Sequence, residues 1–426
     1  MNRMLPAVST IASIIAGTLF CSSVSADNWP GWRGPTSNGV AATGEYPTTW
    51  SATKNVAWKM KLDGRGASTP IVWENNIILT MGRGGKNVLV SFDRSGKQNW
   101  MLEVGTEKAG KHKKASGSNP SCVTDGKLVF AYFKSGDLVA ADLNGNLKWH
   151  HNVQEMFGED TLWWDLGTSP ILTSAHVVIT VMQSGPSYLA AFDKESGKSA
   201  WKVDRNLNAP EEAAQAYSTP VVEMVDGKER IYVLGADHAT GHDAATGKEL
   251  WRVGGLNPTQ HQYFRSIAGP VLAGNMLIAP YARGGSVTGI RLGGSGDVTK
   301  SHVAWTALEV GSDVPTPTFL GDRVFICRDS GGSKGNLAIL DLKTGKIVDE
   351  LLLEKNRNGF SSSPTLAGHH LYVTREDGVT FVVDVSGKSK VVATNSLNDE
   401  FTVATPVLVD GKILLRTYEH LYCLGK

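Results

Sequence analysis

Ala191-Phe192-Asp193-Lys194-Glu195-Ser196-Gly197-Lys198-Ser199-Ala200-Trp201 and Gly241-His242-Asp243-Ala244-Ala245-Thr246-Gly247-Lys248-Glu249-Leu250-Trp251 are two copies of one pattern. Each has a short run ending at an Asp, a turn containing Gly, and a second run that carries Trp. Asp and Gly suit a tight turn. The flanking runs are short and bounded by turn residues, so the pair reads as the third and fourth strands of an antiparallel unit.

Outward from this hairpin, a small residue, any residue and Pro recur at a fixed distance. The triplets are Ser68-Thr69-Pro70, Ser118-Asn119-Pro120, Thr168-Ser169-Pro170, Ser218-Thr219-Pro220, Ala268-Gly269-Pro270, Pro315-Thr316-Pro317, Ser362-Ser363-Pro364 and Ala404-Thr405-Pro406. Their last prolines lie 50, 50, 50, 50, 47, 47 and 42 residues apart, which makes eight units. After each proline come two more apolar runs, such as Ile71-Val72-Trp73 and Ile77-Ile78-Leu79-Thr80. Proline can open the first strand because that position need not donate to the ladder. Four short strands per unit, with no helical stretch between them, predict an all-β, eight-bladed propeller of four-stranded antiparallel blades.

The two ends complete one another. The eighth unit supplies Val407-Leu408-Val409, Lys412-Ile413-Leu414-Leu415-Arg416 and Leu421-Tyr422-Cys423-Leu424, then stops one strand short. Asn55-Val56-Ala57-Trp58-Lys59-Met60 looks like a fourth strand with no unit of its own. Pairing it into the last blade closes the ring and removes two open edges. Trp58, Trp100, Trp149, Trp201, Trp251 and Trp305 share the fourth-strand position. A large indole at one place in each repeat is expected to pack between blades, its N–H bonded there.

The chain divides into residues 1–26, 27–54 and 55–426. Arg3, the apolar run Ile11 to Phe20 and the small residues Val24-Ser25-Ala26 read as a secretory signal cleaved near Ala26. That makes the protein exported, periplasmic or secreted, and Phe20 before Cys21 makes a poor lipid-anchor site. Residues 27–54 hold Trp29-Pro30-Gly31-Trp32-Arg33-Gly34-Pro35, a stiff non-regular segment expected to plug or brace the propeller. Cys122, Cys327 and Cys423 each lie in an apolar run and read as buried thiols. With 42 basic and 41 acidic residues, the chain carries no charge imbalance that would suggest a nucleic-acid partner.

These units resemble the pyrroloquinoline-quinone (PQQ) propeller repeat, whose blades carry Ala-x-Asp-x-x-Thr-Gly-x-x-x-Trp. Here Gly241 replaces the Ala in one copy and Ser196 the Thr in the other. The N-terminal Trp29 to Pro35 stretch, with Trp50 and Asn55-Val56-Ala57-Trp58-Lys59, is similar to a signature of exported propellers of this type. For the enzymes of the family, the resemblance implies a quinone held over Ca²⁺ or a lanthanide, a catalytic Asp and two adjacent cysteines. This chain has no Cys-Cys pair, no clustered acidic loop and no Cys-x-x-Cys-His haem site. The expectation is therefore a non-catalytic scaffold for protein or ligand binding, without cofactor or metal. It resembles the BamB-like propeller subunit of the outer-membrane β-barrel assembly machinery. It is expected to be monomeric, with partners in the cell envelope. A PQQ- and Ca²⁺-dependent alcohol or sugar dehydrogenase is the alternative, and a carbohydrate-binding propeller the third reading.

In a four-stranded blade, the loop leading into strand one and the loop joining strands two and three lie at the same end. The first set carries Arg65, His112, Lys113, Lys114, Trp163, Trp164, Asp165, Tyr217, Tyr263, Phe264, Arg265, Asp313, Phe360 and Phe401. The second adds Arg83, Asp237, His238, Arg283, Asp329, Arg375 and Glu376. The candidate binding residues are Arg65, Trp163, Trp164, Asp165, Tyr217, Tyr263, Arg265, Asp313 and Phe360, because aromatics and arginines around one mouth suit an extended polar or peptide-like partner. Lys108 to Lys114 reads as a basic loop. His238 and His242 are four apart on a strand hairpin, which is poor metal-pair spacing. Glu211-Glu212 and Asp399-Glu400 offer no shared acid–base framework.

Overall fold

The computed structural model describes residues 27–42, 44–329 and 331–425. The signal sequence expected over residues 1–26 lies outside them. Eight sheets follow one another in chain order, seven of them with their strands in sequence: Ile71–Trp73, Asn76–Arg83, Lys86–Phe92 and Gln98–Thr106 make blade 1, and the same order recurs around the ring. The eighth sheet is assembled from both ends. Val56–Lys61 pairs antiparallel with His420–Leu424, and Trp58 stands opposite Cys423. Second and third strands are buried on both faces, as in Tyr188–Asp193, because a neighbouring blade covers each side. Fourth strands alternate half-buried and exposed, as in Val56–Lys61. The apolar clusters accordingly straddle blades; Ile278 of blade 5 packs with Val324 and Leu340 of blade 6.

The repeated Trp and Gly meet across these seams. The indole Nε1 of Trp58, Trp100, Trp149, Trp201 and Trp305 donates to the carbonyl of Arg94, Leu143, Lys194, Ala244 and Leu342 respectively, at 2.8–3.2 Å. Each acceptor lies in the next blade's turn between strands three and four. The Gly of that turn lies under the indole: a Cβ on Gly197, at φ +70°, would meet the Trp149 ring at 2.7 Å. The turn's Asp holds its shape. Asp193 Oδ1 accepts from Ser196 N at 2.8 Å and Ser196 Oγ at 2.6 Å, bonds that hold its carboxyl below the usual range.

A second set of inter-blade bonds circles the axis. The backbone N–H of Thr69 donates to Ser121 Oγ, Ser121 to Ser169 Oγ, and Ser169 to Thr219 Oγ1, at 2.9–3.0 Å. Gly269 N–H donates to Thr316 Oγ1, Thr316 to Ser363 Oγ, and Thr405 to Thr69 Oγ1, at 2.8–3.0 Å. The residue before each repeat proline is thus a hydroxyl rung in most blades; in blade 2 the rung is Ser121, just past Pro120. The belt is open between Thr219 and Gly269, which offers no hydroxyl, and again between Ser363 and Thr405.

Two features depart from the simple repeat. Blade 4 gains a fifth, parallel strand, Gly296–Asp297, which covers the outer edge at Trp251 and Arg252. It comes from the insertion between the last two strands of blade 5, where Thr299–His302 forms a short helix. The N-terminal segment crosses several blades. Trp29 exchanges backbone bonds with Val72 of blade 1 at 2.8 Å. Arg33 is buried and donates to the carbonyls of Pro364 (2.9 Å), Pro317 (3.0 Å) and Asn38 (3.1 Å). Trp50 N–H reaches Asn395 Oδ1 of blade 7 at 2.8 Å.

Candidate functional site

The loops leading into first strands and those between second and third strands converge at one end of the axis, around a cavity of about 560 Å³. Trp164, Asp165, Tyr217, Arg265, Asp313 and Phe360 line it, with His112, Lys114, Arg283, Asp329 and Glu376. Arg65, Trp163 and Tyr263 stand outside it. Arg65 lies over the Tyr418 ring at 4.8 Å and donates to Lys113 O.

The charges of this mouth are largely paired with each other. Asp165 was expected to face a ligand, but its carboxylate turns inward. It meets Lys134 Nζ and accepts the backbone N–H of Lys111 and His112 at 2.8–2.9 Å. Both side chains of that ion pair are buried, 3 % and 2 % exposed, so the pair fixes the basic loop rather than offering a charge. Lys114 crosses to Glu376 at 2.6 Å, linking blades 2 and 7, and Ser361 Oγ donates to the same carboxylate oxygen. Two further lysines of the loop are also engaged: Lys111 Nζ donates to Leu162 O and Lys108 Nζ to Gln154 Oε1.

On the opposite sector, Arg265 lies between two carboxylates. Its Nη2 donates to Asp313 Oδ2 at 3.2 Å and its Nε lies 3.4 Å from Glu212 Oε1. Asp329 accepts the backbone N–H of Asp313 (2.8 Å) and Val314 (3.0 Å), which shapes the loop carrying Asp313. Burial pushes the Asp329 carboxyl up to about 7, and the neighbouring Asp313 charge adds to the rise. Burial raises Asp313 as well, with Arg265 pulling it back. Three polar atoms of this pair are buried without a hydrogen-bond partner: Arg265 Nε and Nη1, both donors, and Asp313 Oδ1, an acceptor. Such orphans are uncommon inside proteins and mark places where another group belongs.

Aromatic groups stay out in solvent. Trp163, Trp164 and Tyr263 are 42 %, 44 % and 41 % exposed. Trp164 is nonetheless held: its Nε1 donates to Glu212 Oε1 at 2.9 Å, its N–H to Tyr217 Oη at 3.3 Å, and His112 lies edge-on at 5.8 Å. Tyr217 and Phe360 are buried behind this surface.

Sequence reasoning missed the partners that set this geometry. Glu212 had no recognisable motif, and Lys134 sits in a loop that gave no signal. Trp32 lines the cavity from the N-terminal segment, which the sequence reading gave a plugging or bracing task and no place among the candidate binding residues. His238 and His242 each bond their own surroundings: His238 Nδ1 meets Ala236 O, and His242 contacts Gly247 O and Thr240 Oγ1. Cys122, Cys327 and Cys423 are free and buried.

The PQQ enzymes of this fold hold their quinone over a hard cation, so the residues can be tested for that group. A Ca²⁺-type ion takes six to eight oxygen ligands. Among the described residues there is no cluster of three or more His, Cys, Asp or Glu side chains able to hold a metal. The two closest mouth carboxylates are already committed, Asp313 to Arg265 and Asp329 to two backbone amides. A cation beside Asp313 would face the Arg265 guanidinium. The residues present do not fit the group.

Comparison with known proteins agrees with this architecture. The profile of a family described as outer membrane protein assembly factor BamB matches residues 26–210 and again 165–394. No functionally curated protein matches the sequence. Among solved structures, BamB from Moraxella catarrhalis is similar at a TM-score of 0.61 and 14 % identity, over 87 % of this chain and 99 % of that one. A europium-containing methanol dehydrogenase is similar at 0.69 and 12 % identity, over 91 % and 89 %. The quinohemoprotein alcohol dehydrogenase of Comamonas testosteroni gives 0.65 and 13 %, over 93 % and 80 %. At such identities the likeness is one of fold.

Proposed function

The chain belongs to the family of outer membrane protein assembly factor BamB, and from that premise and the geometry of the mouth we propose that it is an exported, non-catalytic scaffold that binds an extended polypeptide segment of an envelope partner. One observation carries the reading. Exposed aromatics stand beside a buried, unpartnered donor and acceptor, Arg265 Nη1 and Asp313 Oδ1. A peptide group carries one acceptor and one donor, the two kinds of partner these atoms lack. The indole of Trp164 is anchored but open, which lowers the entropy lost when a partner packs on it. Most other mouth charges are paired with one another or held by backbone groups, and none is arranged as a nucleophile with its base.

The test is a pull-down from envelope extract with wild-type protein and with Trp164→Ala. A partner held by the wild type is expected to bind the variant at least about tenfold more weakly, as for a central aromatic contact. Retention at wild-type strength would remove the mouth as the binding surface. Recognition of a glycan instead of a polypeptide by the same Trp164-dependent surface would transfer the site to the carbohydrate reading.

A further inference from the structure

The mouth cavity has a floor that no blade supplies. Trp32, from the N-terminal segment, lines the 560 Å³ cavity and also a second space of about 180 Å³ further along the axis. Ser169 and Thr219, two rungs of the hydroxyl belt, line both spaces as well. The indole, like these two rungs, therefore borders both spaces. Trp29 and Trp50 of the same segment are buried, whereas Trp32 is only half-buried.

Its support is rigid. The Arg33 guanidinium lies 5.9 Å from the Trp32 ring centroid and is itself fixed by three backbone carbonyls. The Trp32 carbonyl accepts the Trp29 indole N–H at 3.4 Å. Gly34 N–H closes a turn on Gly31 O at 3.0 Å. Apart from the loop residues, the cavity lining is neutral: the belt hydroxyls, Ala67, Ile267 and Val403. The charged side chains all belong to the loops above. The cavity thus combines charged and aromatic loop side chains with neutral belt residues and one indole from the N-terminal segment, and an indole pairs with another aromatic ring in offset-stacked or edge-to-face geometry.

We propose that Trp32 is the floor of the binding site and determines its specificity, receiving an aromatic side chain at the leading point of the bound segment. The inference rests on the reading of the mouth as a polypeptide site, and deepens it by stating what reaches the bottom. It also gives the N-terminal segment a second task, since the stretch that braces the ring completes the cavity.

The probe is 1-anilinonaphthalene-8-sulfonate, whose rings suit the floor and whose sulfonate suits the rim. Its fluorescence is titrated against the wild-type full chain, Trp32→Leu, Trp32→Phe and Trp164→Ala. Leu keeps apolar bulk without a ring face, and the carbonyl bond that shapes the turn is main-chain, so the thermal midpoint is expected to stay near that of the wild type. Trp32→Leu is expected to weaken the probe roughly tenfold and Trp32→Phe less than about threefold. Should Trp32→Leu prove unstable, the Trp32→Phe titration decides, since a loss as large as that of Trp164→Ala would contradict a stacking floor. Wild-type affinity in Trp32→Leu with a loss in Trp164→Ala would overturn the floor while leaving the mouth. Unchanged binding in both variants would overturn the floor together with the mouth.

Discussion

Asp329 shows how one residue sets the pH behaviour of the mouth. Its carboxyl keeps its proton up to about 7 in the folded protein, because burial and the Asp313 charge penalise the anion. An unfolded chain releases the same proton near its ordinary value of about 4. Between those limits the folded state binds more protons than the unfolded state. This group's contribution is therefore greatest at low pH, falls as pH rises from about 4 to 7, and is level above that. Asp329→Asn keeps the shape and one acceptor without the charge. Urea unfolding at about pH 5 and about pH 8 is expected to show a smaller loss of stability with rising pH in the variant, and an identical loss would mean that Asp329 does not titrate in this window. Partner binding at the mouth should carry the same dependence. Nothing in the sequence around Asp329 announced this, because the shift arises from burial against the loop that leads into the first strand of the same blade. Asp165 lines the mouth as expected of its loop, but its carboxylate is occupied within the protein. Two tryptophans beside it suggested a ligand contact, but Lys134, 31 residues away on another loop, claims the carboxylate. Sequence gives the residue types of a mouth; which charges cancel depends on contacts between blades.

The strand and turn carry most of what was legible. The Asp, Gly and Trp of the repeat were visible because each acts within one hairpin or on the adjacent one, at a fixed spacing. Gly197 is the sharpest instance: its φ of +70° and the Trp149 ring at 2.7 Å leave no room for a side chain. Gly197→Ala is expected to cost about 2 kcal/mol or more. Trp149→Ala, which empties a well-buried position, is expected to cost about 3 kcal/mol. Chemical denaturation of both variants measures these, and a loss below about 0.5 kcal/mol for Gly197→Ala would contradict the close packing. The hydroxyl belt was hidden inside a visible pattern. Ser and Thr before the prolines read as small turn residues, yet Ser169, Thr219, Thr316 and Ser363 each serve an amide of the preceding blade, and Thr69 serves the amide of Thr405 across the ring closure. Thr219→Val keeps shape while leaving the Ser169 N–H unbonded, so a cost of about 1–3 kcal/mol is expected. Thr219→Ser should restore most of it. Equal stability of the Val and Ser variants would show that shape, not the bond, is what the repeat retains.

Across the whole molecule, the ring is only as strong as its one non-covalent seam inside a sheet. Seven blades are continuous in sequence, whereas blade 8 depends on Val56–Lys61 finding His420–Leu424. That seam has its own electrostatic latch. Glu400 bonds Lys59 at 2.7 Å, His420 at 2.9 Å, Thr417 at 2.6 Å and Tyr422, so it holds the closing strand to the sheet it completes. Burial would raise its carboxyl, but these partners outweigh that and hold it at about 2. Its stabilisation is therefore full above the ordinary Glu value of about 4.5 and is lost as pH falls toward 2, opposite in slope to Asp329. A chain lacking residues 27–61 removes latch, strand and floor together and leaves the edge at Leu421, Tyr422, Cys423 and Leu424 open. Such an apolar edge is a template for another chain. The shortened protein is expected to self-associate in sedimentation analysis, and a synthetic peptide of Asn55–Lys61 should bind it and return it toward the monomer. A shortened chain that stays monomeric, with an unchanged denaturation midpoint, would mean that the ring does not need the N-terminal strand to close. The eight blades would then have to be held by their flat faces alone.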